Sequence, residues 1–141
     1  MKLDAAIRDV YAAEAALADA LLAVGERHKS DHDVYHLTRT LATQARQRME
    51  ALEPHAERYG ASVEIRASPP SPNGSLLGDM RTLHLLAAEA SIDWTILGQG
   101  AQAARDRELL SVVAASHPDV LRALRWTTTK LKESAPQLLT T

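Results

Sequence analysis

Ile7, Val10, Glu14, Leu17, Leu21, Val24 and His28 recur at alternating steps of three and four residues. That spacing is the seam of an amphipathic bundle helix. It commits residues 3–28 to helix and leaves one face to be covered by other helices. It also aims a carboxylate, Glu14, at that covered face. A buried carboxylate is costly unless something pairs with it or protonates it. Glu14 is therefore the residue whose role most needs an account.

The rest of the chain continues in the same manner. "KSDHD", 29–33, reads as a turn, with Ser30, Asp31 and Asp33 as natural N-caps for a second helix. Its stripe is Val34, Leu37, Leu41, Ala45, Met49, Leu52, Ala56 and Tyr59, with Gly60 as the stop. Pro54 inside this pattern is expected to kink the helix or shift its last turn. So short a turn predicts an antiparallel hairpin. Residues 61–76, "ASVEIRASPPSPNGSL", cannot continue a helix. This Pro/Ser-rich crossover is about the length expected to cross one end of a bundle and start a second hairpin. Its "SVEIR" has no strand to pair with.

Helix 3 is predicted from about Asp79 to Ala104, with Met80, Leu83, Ala87, Ala90, Trp94, Leu97 and Ala101 in line. A second group, Leu85, Ile92 and Ile96, widens its apolar arc to more than half the circumference. One helix neighbour does not use that much surface, so a homodimer through helix 3 is expected. "RDRE", 105–108, is a polar break before helix 4, whose line is Leu109, Val113, Val120, Leu124, Thr127 and Leu131. Pro118 is expected either to kink helix 4 or to begin a second segment, and "SAPQLLTT" reads as a tail docked through Leu138 and Leu139. The expected fold is all-α: one domain, 1–141, an antiparallel four-helix bundle of two hairpins.

Composition narrows the function. The 141 residues include no cysteine, which removes disulfides, thiolate nucleophiles and cysteine metal sites. The net charge of −2 is spread over interspersed signs, with no basic patch for nucleic acid. No apolar run is long enough for a membrane span, and a cytoplasmic protein is expected. Phenylalanine is absent, so the core is built from Leu, Ala, Val and Ile, and small residues let helices approach closely.

Two cations held about 3.5–4 Å apart inside a bundle need about four carboxylates together with imidazoles. Glu14 stands where a first ligand would be, and helix 3 offers Glu89 and Asp93. The other two helices fall short. The six histidines, at 28, 32, 36, 55, 84 and 117, are preceded three places earlier by Gly25, Lys29, Asp33, Leu52, Arg81 and Ala114, so no Glu-x-x-His exists. Mid-helix 2 has Gln44 where an acid would serve, and mid-helix 4 has Ser116 and His117.

Three stretches carry a family resemblance. "DVYAAEAALADAL", 9–21, resembles the first-helix motif of a bacterial, stress-associated ferritin-like family. "QARQRMEALEPHAERYG", 44–60, is similar to that family's second helix. "ARDRELLSVV", 104–113, sits where the family has its helix 3–4 turn. The resemblance implies a ferritin-like bundle. By position, Glu14 matches the family's first glutamate, Gln44 replaces the second, Glu89 matches the third, and Ser116 or His117 falls where a helix 4 acid belongs.

The expectation drawn from these residues is a non-catalytic ferritin-like bundle. It has no cofactor and no working metal centre, and it acts as a homodimeric binding or stress-associated protein. Glu14, Gln44, Glu89, Asp93 and His117 are then vestiges of a ligand set, with Glu14 paired to Arg46, Arg48, Gln44 or His117. The alternative is a divergent di-iron oxidase or iron-storage protein using Glu14, Glu89, Asp93 and His117. An apolar ligand cavity is disfavoured by the small-residue core. Glu89 and Asp93 as an acid/base pair have no nucleophile beside them. His28, His32 and His36 recur every four residues and would make a Zn or Ni site on an unbroken helix, but Ser30-Asp31 is expected to break it. Trp94 and Trp126 read as core or interface anchors, and the glycines of "LGQGAQ", 97–102, as close helix packing rather than a phosphate loop.

Overall fold

The computed structural model describes residues 2–63 and 74–141. Four helices build it: α1 (Leu3–Arg27), α2 (His32–Arg58), α3 (Leu76–Ala103) and α4 (Arg107–Thr140). No strand occurs among the described residues, and most of "SVEIR" and the crossover prolines lie outside them.

Local chemistry sets the helix ends. Asp31, Ser75 and Asp106 cap α2, α3 and α4, accepting from the backbone N–H of Val34, Gly78 and Leu109. Asp106 also accepts from Tyr59 at 2.5 Å and Arg58 at 2.8 Å, and the Tyr59 hydroxyl foremost, then the Leu109 N–H and Arg58, hold its carboxyl down at about 2. At the C-termini, α2 and α3 close the same way. Ala61 N–H returns to Ala56 O and Gly60 N–H to Glu57 O; Asp106 N–H returns to Ala101 O and Arg105 N–H to Gln102 O. The left-handed residue is Gly60 in the first (φ 66) and Arg105 in the second (φ 56).

Pro118 starts no second segment. α4 runs as one helix through Pro118 and Pro136, and the expected tail belongs to it as far as Thr140. The reason is orientation. Pro54, Pro118 and Pro136 are all exposed, and so are Glu50, Ala114 and Lys132, whose carbonyls each proline leaves without a helical donor. At such exposed positions a carbonyl without a helical donor is cheap to leave. Leu138 and Leu139 stay exposed rather than docking.

α1 packs on α2 and α3, and α4 packs on α3 and more thinly on α2; α1 with α4 and α2 with α3 face across the diagonals. Between α1 and α2 the contacts run Gly25 with Thr38, Asp19 with Arg46, Glu14 with Arg48 and Tyr11 with Glu53. Between α3 and α4 they run His84 with Thr127, Ser91 with His117 and Gly98 with Val113. In each pair one helix folds back along the other. A Cβ on Gly98 would lie 3.1 Å from Val113, and one on Gly100 would lie 2.9 Å from Leu3, so both glycines serve close helix approach.

The crossover was expected to span one end of the bundle, but the described ends it joins lie at opposite ends. α2 finishes where Arg58 and Tyr59 meet Asp106 at the start of α4. α3 begins where Asp79 meets Arg27 and His28 at the finish of α1. The seventeen residues between Arg58 and Leu76 have a reach of about 56 Å, against about 40 Å for a helix of this length. Val63, soon after α2, already packs on Tyr11, Ala15 and Met49, back along the first hairpin.

The described interior has two large apolar clusters beside the small one of Tyr11, Ala15 and Met49. One gathers Ile7, Val10, Leu52, Trp94, Leu97 and Leu109; the other gathers Leu17, Leu21, Val34, Met80, Leu83 and Ala87. Along α1 the boundary between them is Glu14.

The matched helix ends give a paired test. Gly60→Ala strains a left-handed residue and should cost about 1 kcal/mol, while Arg105→Gly relieves one and should gain about 0.5–1 kcal/mol. Urea denaturation with unchanged m-values checks both signs.

Candidate functional site

At the level of Glu14 a buried ion pair interrupts the apolar interior. Glu14 is fully buried and Arg48, from α2, is 5 % exposed. Arg48 Nε donates to Glu14 Oε2 at 2.5 Å. Glu14 Oε1 has no hydrogen-bond partner, and neither does the equally buried Trp94 Nε1 from α3. The Trp94 N–H is nonetheless close enough to draw the carboxyl pKa down, as Arg48 does more strongly. Burial outweighs both and leaves Glu14 above the ordinary 4.5.

Local sequence puts these groups together. Glu14 occupies a seam position of α1, so it cannot reach solvent without unpacking the helix. Arg48 lies one turn after Gln44 on the face of α2 that carries Leu41, Ala45 and Leu52. Ala45, fully buried, leaves room for a long side chain to cross between helices. Trp94 sits in the core line of α3.

The other sequence candidates lie apart from this ion pair. Gln44 is half-buried on α2. Glu89 is exposed on α3. Asp93 is half-buried, and its pKa is pushed up by burial first, then by the charges of Asp9 and Glu89. His117 is half-buried and its Nε2 meets Ser91 Oγ at 2.9 Å. Among the described residues, no group of three or more His, Asp or Glu side chains is placed to hold a metal ion. Chemically, the layer offers one carboxylate matched by one guanidinium, which leaves no net charge to attract a cation.

Sequence reasoning named Arg48 as one possible partner of Glu14, and the structure selects it. It missed Trp94 as the buried N–H near the Glu14 carboxyl. The available signal was position, since Glu14 and Trp94 both lie mid-way along their helices' core lines. It also missed a second buried acid. Asp79 is fully buried, accepting from Arg27 Nε at 3.0 Å and its NH2 at 2.9 Å, with His28 Nε2 at 2.7 Å. His28 at the end of the α1 stripe pointed there.

No family model matches the chain, and no curated protein or solved structure does either. Among the described residues, no helix is long and apolar enough to cross a membrane.

Arg48→Met strips the counter-charge and should cost about 3–5 kcal/mol at neutral pH. Glu14→Leu with Arg48→Met should recover most of that loss, because neither charge is then buried. The pH dependence has a fixed sign. Burial raises the folded-state pKa of Glu14, so the folded chain binds the extra proton and stability falls as pH rises above 4.5. Removing Arg48 steepens that fall, and acidification should partly rescue Arg48→Met but not the double variant. Thermal unfolding between pH 4.5 and 8 checks this; parallel profiles would refute the pairing.

Proposed function

We propose that the chain is a non-catalytic, antiparallel ferritin-like bundle in which the Glu14–Arg48 ion pair stands where metal-binding members of that class hold two cations. The observation that carries this reading is the Arg48 guanidinium on Glu14. A dinuclear centre needs about four convergent carboxylates. Here Glu14 is already neutralised, Glu89 is exposed, and His117 is engaged by Ser91. The crossover supports the same class, because ferritin-like bundles contain one long connection. It joins opposite ends of this bundle.

The protein acts as a homodimer through α3, as a binding or stress-associated protein of bacterial cytoplasm. Leu85, Ile92 and Ile96 are 51 %, 60 % and 45 % exposed on one face of α3. That face lies opposite the Met80–Ala101 core line, so no helix of the same chain covers it. Water-facing β-branched and leucine side chains at this spacing support a subunit contact.

Two measurements test the two halves of the reading. Protein purified without a tag should carry less than about 0.1 iron per chain, whereas about two would overturn the lost-centre reading. Sedimentation at micromolar concentration should give a dimer that Ile92→Asp converts to monomer. A wild-type monomer would overturn the interface.

A further inference from the structure

The six histidines divide into two kinds. Four are engaged by other side chains: His28 by Asp79, His55 by Arg58, His84 by Thr127 and His117 by Ser91. His32 and His36 are not. Both are exposed, and among the described residues neither imidazole has a hydrogen bond or an ion pair; His36 only meets the Tyr35 ring edge-on at 5.5 Å. The break at Ser30-Asp31 falls before them, so α2 begins at His32 and carries both on one helix.

Residues four apart on a helix are neighbours on its surface, about 5–6 Å between Cβ atoms. Two imidazoles at that spacing can close on one ion, as in helical His-x-x-x-His zinc sites. We propose that His32 and His36 form a two-histidine chelate for a borderline divalent cation of the copper, nickel or zinc type. Imidazole nitrogen selects these ions over magnesium and calcium, and copper binds most tightly. With no third His, Asp or Glu placed to complete the set, water fills the remaining positions. The positive end of the helix dipole works against a cation here. Asp33, exposed on the same turn, offsets it with a negative charge. Asp31, the cap, has its charge taken up by Lys130 at 3.1 Å. The site is at the end of the bundle, on α2 alone, and does not depend on the mid-bundle ion pair.

Untagged full-length protein is titrated with Cu2+ and followed by electron paramagnetic resonance. The expected result is one copper per chain coupled to two imidazole nitrogens. His32→Asn and His36→Asn should each weaken binding by about 10-fold or more, since either removes the chelate's linked second ligand. Both residues are exposed, so the variants keep the fold. Excess Mg2+ should not compete. Changes under about 2-fold in both variants would mean independent surface imidazoles and overturn the proposal, as would no binding. If instead His117→Asn or Glu14→Gln abolished copper binding, the cation would sit mid-bundle. Both this site and the lost-centre reading would then fail.

Discussion

A carboxylate and a guanidinium buried together set the terms for the rest of this molecule. Isolated, either charge would be too costly to bury, and a buried pair is tolerated only when geometry and neighbouring donors compensate the lost hydration. Glu14 and Arg48 meet that condition imperfectly. One carboxylate oxygen is bound and the other has no hydrogen-bond partner, while the nearby Trp94 N–H only lowers the carboxyl pKa in part. Along α1 the pair lies between the two large apolar clusters. An apolar pair of the same volume would have packed more simply. What the charged layer does impose is registry. Sliding α2 by one turn along α1 would leave Glu14 facing Gln44 or Leu52 and strand a bare charge in the core.

The same logic operates at both ends. Asp79 draws Arg27 and His28 onto the start of α3, and Asp106 draws Arg58 and Tyr59 onto the start of α4. Each acid sits in the first turn of its helix or caps it, where the helix dipole favours negative charge. Each basic partner comes from the last turn of a different helix, or just beyond it. Polar contacts thus fix the ends and the middle, while small residues fill the space between. Gly98 brings α3 against α4 at a distance a Cβ would crowd, and Gly100 lies against the end of the Leu3 side chain from α1.

The helices and most of their ends were legible because periodicity and capping are local. The α1 stripe, Asp31 as a cap and Gly60 as a stop each depend on a few neighbouring residues. The errors arose where the deciding fact was three-dimensional. Pro118 and Pro136 looked like interruptions, but their effect depends on whether they fall on the exposed face of the helix, and here they do. The crossover's length did not disclose which ends it joins. At the candidate site, Glu14 stood out because a charge interrupts an apolar line. Arg48 could be shortlisted, yet only packing separates it from Arg46, which is exposed and meets Asp19 at 3.7 Å. Asp79 resembled an ordinary first-turn acid, and its complete burial depends on a helix fifty residues away.

Joining opposite ends of the bundle has a kinetic corollary. α1 with α2, and α3 with α4, are joined by short turns and can form as local units on fast timescales. Leu3 meets Gly100 only when the two units dock, after a long loop has closed. The glutamate and arginine belong to one unit, while the indole that walls them in belongs to the other. Their dehydration is therefore charged to the docking step. The late barrier in assembly should carry the electrostatic signature of this bundle, and the early events should not.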